Sequence, residues 1–90
     1  MPDKAIDLVK PLSVTSVEVL GANPRRIYAL LVNDSAIVVY LAMGIPAVVN
    51  RGIRLNPSGG NYEINLTNPW QGSIHAIAAA GTPSLLIQEW

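Results

Sequence analysis

The residues that could support catalysis are few in this sequence. His75 is the only histidine, and there is no cysteine, so thiolate catalysis, disulfides and cysteine metal sites are all excluded. The six acidic residues are scattered, and none forms a metal-binding spacing with His75, such as HxH or HExxH. Gly59 and Gly60 are not followed by the Lys-Ser/Thr pair and helix of a phosphate-binding loop. We therefore expect no catalytic, cofactor-binding or metal site. An enzyme, for example a two-carboxylate glycosidase, is the weakest hypothesis.

The aromatic residues are the next candidates for a binding role. The chain has two tryptophans and three tyrosines but no phenylalanine; the five are Tyr28, Tyr40, Tyr62, Trp70 and Trp90. They could form a stacking platform for a sugar or a base. Because they must also supply whatever aromatic packing the core has, a role in the core or at a subunit interface is the favoured interpretation.

The composition indicates that part of the surface is covered by another chain. Of the 90 residues, 50% are hydrophobic and 13% are charged, whereas an ordinary soluble domain has about 25% charged residues. The net charge is zero, so there is no electrostatic footprint for nucleic acid. No apolar run approaches the roughly 20 residues of a membrane span, and the beginning of the sequence lacks the pattern of a signal peptide.

Glycine, proline and asparagine interrupt the chain at short intervals, and the segments between them are rich in β-branched and aliphatic residues. The predicted strands are residues 13–20, 25–32, 36–43, 47–50, 52–55, 61–65, 73–79 and 84–90. We predict an all-β fold, a small antiparallel β-sandwich, jelly-roll-like or Ig-like, with seven or eight short strands. The Asn33-Asp34-Ser35 segment suits a tight hairpin between two of them.

Two consecutive predicted strands, residues 25–32 and 36–43, do not alternate between apolar and polar residues. Both faces of these strands should therefore be covered, one by the opposite sheet and the other by the N-terminal segment, by another subunit or by loops of the same chain. The residues expected in the core are Leu30, Val32, Val39, Leu41, Leu55, Ile64, Ile77 and Leu86.

Residues 1–11 differ from the rest, because charged Asp3, Lys4, Asp7 and Lys10 are mixed with apolar residues and Pro11 separates the segment from the remainder of the chain. We expect an N-terminal arm over residues 1–11, with Pro11 as its hinge, and a sandwich domain over residues 12–90. Such an arm suits edge-strand addition or a groove on a neighbouring subunit; a short helix or a disordered tail without function is the alternative. The candidate partner-binding residues are Ile6, Leu8, Val9, Trp70 and Trp90.

The order of turn and core residues over positions 23–89 resembles that of small β-sandwich virion proteins of tailed phages and related prokaryotic viruses. The matching segments are NPRR at 23–26, NDS at 33–35, GIRLNP at 52–57 with Gly59 and Gly60, PWQG at 69–72 with IHAIA at 74–78, and LLIQE at 85–89. The resemblance implies a decoration or cement protein, or a spike component, that is made in the host cytoplasm and located on the capsid surface. It implies the major capsid protein as partner, with a homotrimer as the favoured assembly, and it supplies no catalytic residues.

The leading hypothesis is therefore a structural protein of the virion that binds the capsid surface. The alternative is a carbohydrate- or receptor-binding head domain of a viral spike or fibre that uses an exposed Trp70 or Trp90. The first hypothesis requires apolar surface for protein contacts, and the second requires an accessible aromatic platform.

Overall fold

The computed structural model describes residues 5–90, which form eight strands and no helix. The strands are β1 (Ile6–Pro11), β2 (Val17–Leu20), β3 (Ala29–Asn33), β4 (Val39–Met43), β5 (Ile53–Leu55), β6 (Gly60–Ile64), β7 (Ile74–Ala78) and β8 (Ser84–Glu89). They make two four-stranded sheets, the first in the order β1-β8-β3-β6 and the second in the order β2-β7-β4-β5. Every pairing between these strands is antiparallel. The predicted all-β class and small β-sandwich are confirmed. In the part of the chain that the structure describes, no helix could cross a membrane.

The core lies between the two sheets and consists of the inward-facing residues of the strands. In β8, for example, Leu85 and Ile87 are buried while Leu86 and Gln88 are exposed. Apolar side chains from both sheets meet there because each sheet must bury one face. The fully buried large apolar side chains are Val19, Leu31, Val39, Leu41, Leu55, Ile64, Ile74, Leu85 and Ile87.

Five of the predicted core residues are confirmed as buried: Val39, Leu41, Leu55, Ile64 and Ile77. The prediction is wrong for the other three, since Leu30 and Val32 are only half-buried and Leu86 is 37% exposed. Two polar residues explain the error. Asn33 ends β3 and Glu89 ends β8, and both are buried on the inner side of the sheet. In a strand the side chains alternate between faces, so these polar residues place Leu30, Val32 and Leu86 on the outer face.

The predicted hairpin at residues 33–35 is also wrong, because β3 and β4 belong to different sheets and the turn crosses between them. The Asn33 side chain fixes this turn. Its Nδ2 donates to the carbonyl oxygens of Ile37, Leu55 and Asn56, and its Oδ1 accepts from the backbone N–H and the hydroxyl of Ser35. A fully bonded amide can occupy the core because none of its polar atoms is left without a partner.

The outer face of β4 is covered by the same chain. Tyr40 and Ala42 on this face are buried, and they pack with Ile77 and with Ala47 of the loop that comes after β4. The Tyr40 hydroxyl also donates to Oδ1 of Asn50. Residues 47–50 are therefore a covering loop and not the strand that the sequence predicts. Covering by a loop of the same chain, one of the alternatives for this strand, is what the structure has.

The predicted arm is described from residue 5 onward, and residues 1–4, with Asp3 and Lys4, lie outside the described part. Ile6–Pro11 forms β1, which pairs with β8 along its whole length, from Ile6 opposite Glu89 to Pro11 opposite Ser84. Leu8 packs against the core. The expectation that this segment leaves the sandwich at Pro11 is therefore wrong for the described residues: it adds a strand to the sheet of its own chain.

Candidate functional site

The only histidine, His75 of β7, has a serine as its side-chain neighbour. His75 lies half-buried on the outer face of β7, opposite Ala42 of β4 and Glu18 of β2. Its Nε2 is 3.4 Å from Oγ of Ser73, but no hydrogen bond joins the ring to a carboxylate in this part of the chain. A serine–histidine pair needs such a group to orient the imidazole. No group of three or more histidine or acidic residues within the described range could hold a metal ion.

Trp70 and Trp90, which the sequence predicts as partner-binding residues, lie in different environments. Trp70 packs against the core, and its Nε1 donates to the carbonyl oxygen of Ser73. A Cβ atom on Gly72 would lie 2.7 Å from the Trp70 ring, so glycine at position 72 makes room for the indole. Trp70 therefore has a packing role at one end of the sandwich.

Trp90 is more accessible and stacks on Tyr28. The two ring centroids are 4.3 Å apart with an interplanar angle of 24°, and Trp90 is 36% exposed. Reciprocal backbone bonds between Tyr28 and Trp90 extend the ladder between β3 and β8 by one pair. The rings thus lie on the outer face of the first sheet, on the same side as Leu30 and Val32.

A hydrogen bond couples Tyr28 to the neighbouring edge strand. Its hydroxyl donates to Oε2 of Glu63 at 2.5 Å. The bond to this carboxylate, together with desolvation and the negative charge of Glu63, raises the pKa of the Tyr28 phenol above its ordinary value. The bond to Glu63 links the ring that stacks on Trp90 to β6.

Four apolar side chains form a continuous patch beside this stacked pair. Val9, Leu86 and Val32 occupy one cross-strand row of β1, β8 and β3, and Leu30 lies on the same face of β3. We call these four residues the outer apolar face. Val9 is 61% exposed and Leu86 is 37% exposed. A shallow depression of about 370 Å³ opens over them.

Polar groups surround the outer apolar face. Gln88 of β8 donates from Nε2 to Oδ1 of Asp7 on β1, 3.0 Å away, and Glu63 and Asn61 face the same side on β6. An apolar centre with a polar rim is the anatomy of a protein-binding surface. Of the predicted partner-binding residues, Val9 belongs to the face and Trp90 borders it. Ile6 and Leu8 lie on the other face of β1, and Trp70 packs against the core.

A second apolar depression, of about 200 Å³, lies at the loop that covers β4. The exposed side chains of Ile45 and Val48 line it together with Pro46, Met43 and Ile53. This depression is smaller, and Arg51 contributes to its lining. The sequence does not predict it, because residues 47–50 have the composition of a strand.

Sequence reasoning also misses the members of the outer apolar face other than Val9. Leu30, Val32 and Leu86 are aliphatic and lie in strands, which is why the sequence assigns them to the core. The available signal is the polar residue at the end of each strand: with Asn33 and Glu89 turned inward, strict alternation places these three outward.

Comparisons with known proteins identify no relative. No family model, no curated protein and no solved structure matches this chain.

Proposed function

We propose that this chain is a non-enzymatic structural domain that docks on another protein through its outer apolar face. The observation that carries the proposal is the cross-strand row of Val9, Leu86 and Val32 on an open sheet surface. Contiguous exposed apolar surface with a polar rim is costly to leave in water and is typical of interaction sites. A rigid sheet also presents such a surface with little loss of conformational entropy on binding.

We propose that this docking takes place on a virion. The support comes from the layout of turn and core residues over positions 23–89, which resembles that of capsid decoration proteins of prokaryotic viruses. A decoration protein requires rigid β structure and an apolar docking surface. The proposed partner is the major capsid protein.

A co-sedimentation experiment tests the docking surface. Capsids that lack the protein are mixed with purified chain and separated on a density gradient, and the bound fraction is measured over a range of concentrations. Leu86→Lys places a charge in the centre of the face and should weaken binding at least tenfold. Leu66→Lys is the matched control, because Leu66 is 81% exposed in a loop and its backbone is not part of the patch. Equal binding by the wild type and Leu86→Lys would show that the outer apolar face is not the docking surface. An absence of binding by the wild type would show that the capsid is not the partner.

The accessible stacked pair Tyr28–Trp90 favours a second candidate function, a carbohydrate-binding head of a spike or fibre. Sugars bind on exposed aromatic rings, and one face of Trp90 is already occupied by Tyr28. Tryptophan fluorescence measured during titration with glycans checks this candidate. A sugar-dependent change that persists in Trp70→Phe and is lost in Trp90→Phe would support it, whereas a glycan array without binding would exclude the sugars tested.

A further inference from the structure

Strand β1 has a free outer edge in the part of the chain that the structure describes. Strand β1 is at the end of the first sheet, with β8 on one side and no described strand on the other. The edge is six residues long. Its free backbone groups can pair with another strand, which is the usual route to strand addition between chains.

The other three edges of the sandwich are less suited to such pairing, as far as residues 5–90 show. Strand β2 has a register irregularity between Glu18 and Leu20, and β5 has only three residues. Strand β6 presents polar Asn61 and Glu63 and continues into the bridge between Asn65 and Asn68. Bulges, shortness and polar side chains are devices that protect strand edges. Strand β1 has Lys10 and Pro11 at one end and a single further charged residue, Asp7.

The hydrogen-bond pattern shows which groups of β1 face outward. The N–H of Leu12 donates to the carbonyl oxygen of Pro83, in register with the ladder between β1 and β8. In an antiparallel ladder alternate residues bond to the same neighbour. The N–H groups of Leu8 and Lys10 therefore point towards β8, and those of Asp7 and Val9 point away from the sheet. Pro11 is on the outward-pointing set, so its missing N–H removes no bond to β8.

We propose that two copies of this chain pair through β1 about a two-fold axis perpendicular to the first sheet, with Leu8 opposite Leu8 of the partner subunit. In this register Asp7 exchanges both backbone bonds with Val9 of the partner subunit, and Val9 does the same with the partner's Asp7. The two core-side Leu8 side chains meet on the axis. Ile6, which is 52% exposed in the single chain, gains cover from the stem of the partner's Lys10.

The two neighbouring registers are less favourable than the Leu8 register. Placing Asp7 opposite the partner's Asp7 brings like charges together across the strands, which is destabilising. Placing Val9 opposite the partner's Val9 sets Pro11, without an N–H, against Asp7 and loses the reciprocal bonds there. The Leu8 register avoids both. An edge that pairs with its own copy gives a closed two-fold pair and not the trimer that the resemblance implies.

The β1 pairing does not rest on the proposed function, because it uses the backbone edge of β1, whereas docking uses the side chains of the outer apolar face, of which only Val9 belongs to β1. The two are geometrically compatible. A two-fold axis perpendicular to the sheet leaves both outer faces on the same side, so pairing would double the apolar surface available for docking.

Sedimentation equilibrium of the full chain at micromolar to hundred-micromolar concentrations tests the pairing. We expect a species of about twice the 9.6 kDa chain mass, as a two-fold pair requires. Val9→Pro removes an outward N–H without removing a bond to β8, and it should raise the dimer dissociation constant at least tenfold. Val9→Thr keeps the N–H and is the matched control. A monomer throughout the range, or a trimer, would overturn the proposal, as would a Val9→Pro variant that is folded and dimerises like the wild type.

Cysteine cross-linking tests the register and does not depend on the fold of Val9→Pro. The chain has no cysteine, so a single substitution is an unambiguous probe. Leu8→Cys should form an intermolecular disulfide under mild oxidation, because a non-hydrogen-bonded antiparallel pair has Cα atoms about 4.5 Å apart. Ile6→Cys should not, since its two copies would be about 13 Å apart along the strands. Cross-linking of Ile6→Cys in preference to Leu8→Cys would contradict the register. Loss of capsid binding in Leu86→Lys with cross-linking of Leu8→Cys retained would separate the two proposals.

Discussion

Arg26 and Glu89 form an ion pair inside the sandwich, with the guanidinium Nε 2.5 Å from Oε2 of the carboxylate. Both residues are buried. The remaining nitrogens of Arg26 donate to backbone carbonyl oxygens: Nη1 to Trp70 and Gly72, and Nη2 to Gly21. A buried charge is tolerated when it is paired and its donors are bonded, and here one side chain ties the end of β8 to two loops.

Removing one member of this pair should destabilise the protein strongly. Arg26→Met leaves the Glu89 carboxylate without its partner and three carbonyl oxygens without their donor, so we expect a loss of about 3–5 kcal/mol in the free energy of unfolding. Urea denaturation followed by circular dichroism measures it. Arg25→Met is the matched control, because Arg25 is exposed, and it should change stability by about 0.5 kcal/mol or less. Equal effects of the two substitutions would show that the ion pair is not formed in solution.

The orientation of β3 and β8 predicts opposite outcomes for two leucines. Leu31→Ala removes a fully buried side chain and should cost about 2–5 kcal/mol. Leu86→Ala truncates a partly exposed side chain of the outer face and should cost about 1 kcal/mol or less. Thermal and urea unfolding of both variants checks this. A larger loss for Leu86→Ala would place Leu86 in the core, as the sequence alone suggests.

Asn33 should be as important for stability as a large apolar residue. Asn33→Ala leaves the carbonyl oxygens of Ile37, Leu55 and Asn56 without their common donor, which we expect to cost about 3 kcal/mol or more. Asn61→Ala is the control, because its exposed amide donates only to the carbonyl oxygen of Gly59. A neutral Asn33→Ala would mean that water replaces the amide and that the turn between the sheets does not depend on it.

The bond between Tyr28 and Glu63 predicts a late-titrating tyrosine. The pKa of Tyr28 is raised above the ordinary value of 10.0, so the folded protein holds this proton more tightly than the unfolded chain. The resulting stabilisation is fully present below the ordinary pKa and is lost as the pH rises through the raised pKa. Absorbance at alkaline pH, compared with Glu63→Gln, measures the effect. The substitution should move the Tyr28 transition to lower pH. An unchanged titration curve would show that Glu63 does not control this phenol.

The positions of the strands can be predicted largely from the Gly, Pro and Asn residues between them. The face on which each side chain lies and the pairing of the strands cannot. Gly, Pro and Asn residues locate seven of the eight strands, because each interrupts a β ladder for a local reason. The predicted orientation of β3 and β8 is wrong. The observed orientation requires that Asn33 and Glu89 have hydrogen-bond partners inside the core. Their partners, Leu55 and Arg26, are remote in sequence. Likewise, residues 6–11 have the composition of an arm, and only the register with β8 makes them a strand of the sandwich.

The residues of the candidate surface can likewise be predicted only in part from the sequence. Val9 and Trp90 stand out in the sequence because apolar residues near a chain end are conspicuous, and both lie on or beside the outer apolar face. Trp70 stands out by residue type alone, but Gly72 leaves space for its ring against the core. Which apolar residues are exposed depends on tertiary packing that no local pattern encodes.

The central place of β8 in the first sheet affects how the chain can fold. Strand β8 lies between β1 and β3, and its Gln88 bonds to Asp7, a residue 81 positions earlier. Contacts between residues so distant in sequence are slow to form because a long loop must close first. During synthesis β1 and β3 are made before β8, so neither can pair with it until almost all of these residues have left the ribosome. The first sheet should therefore assemble late, while β4 and β5, which are close in sequence, can pair earlier.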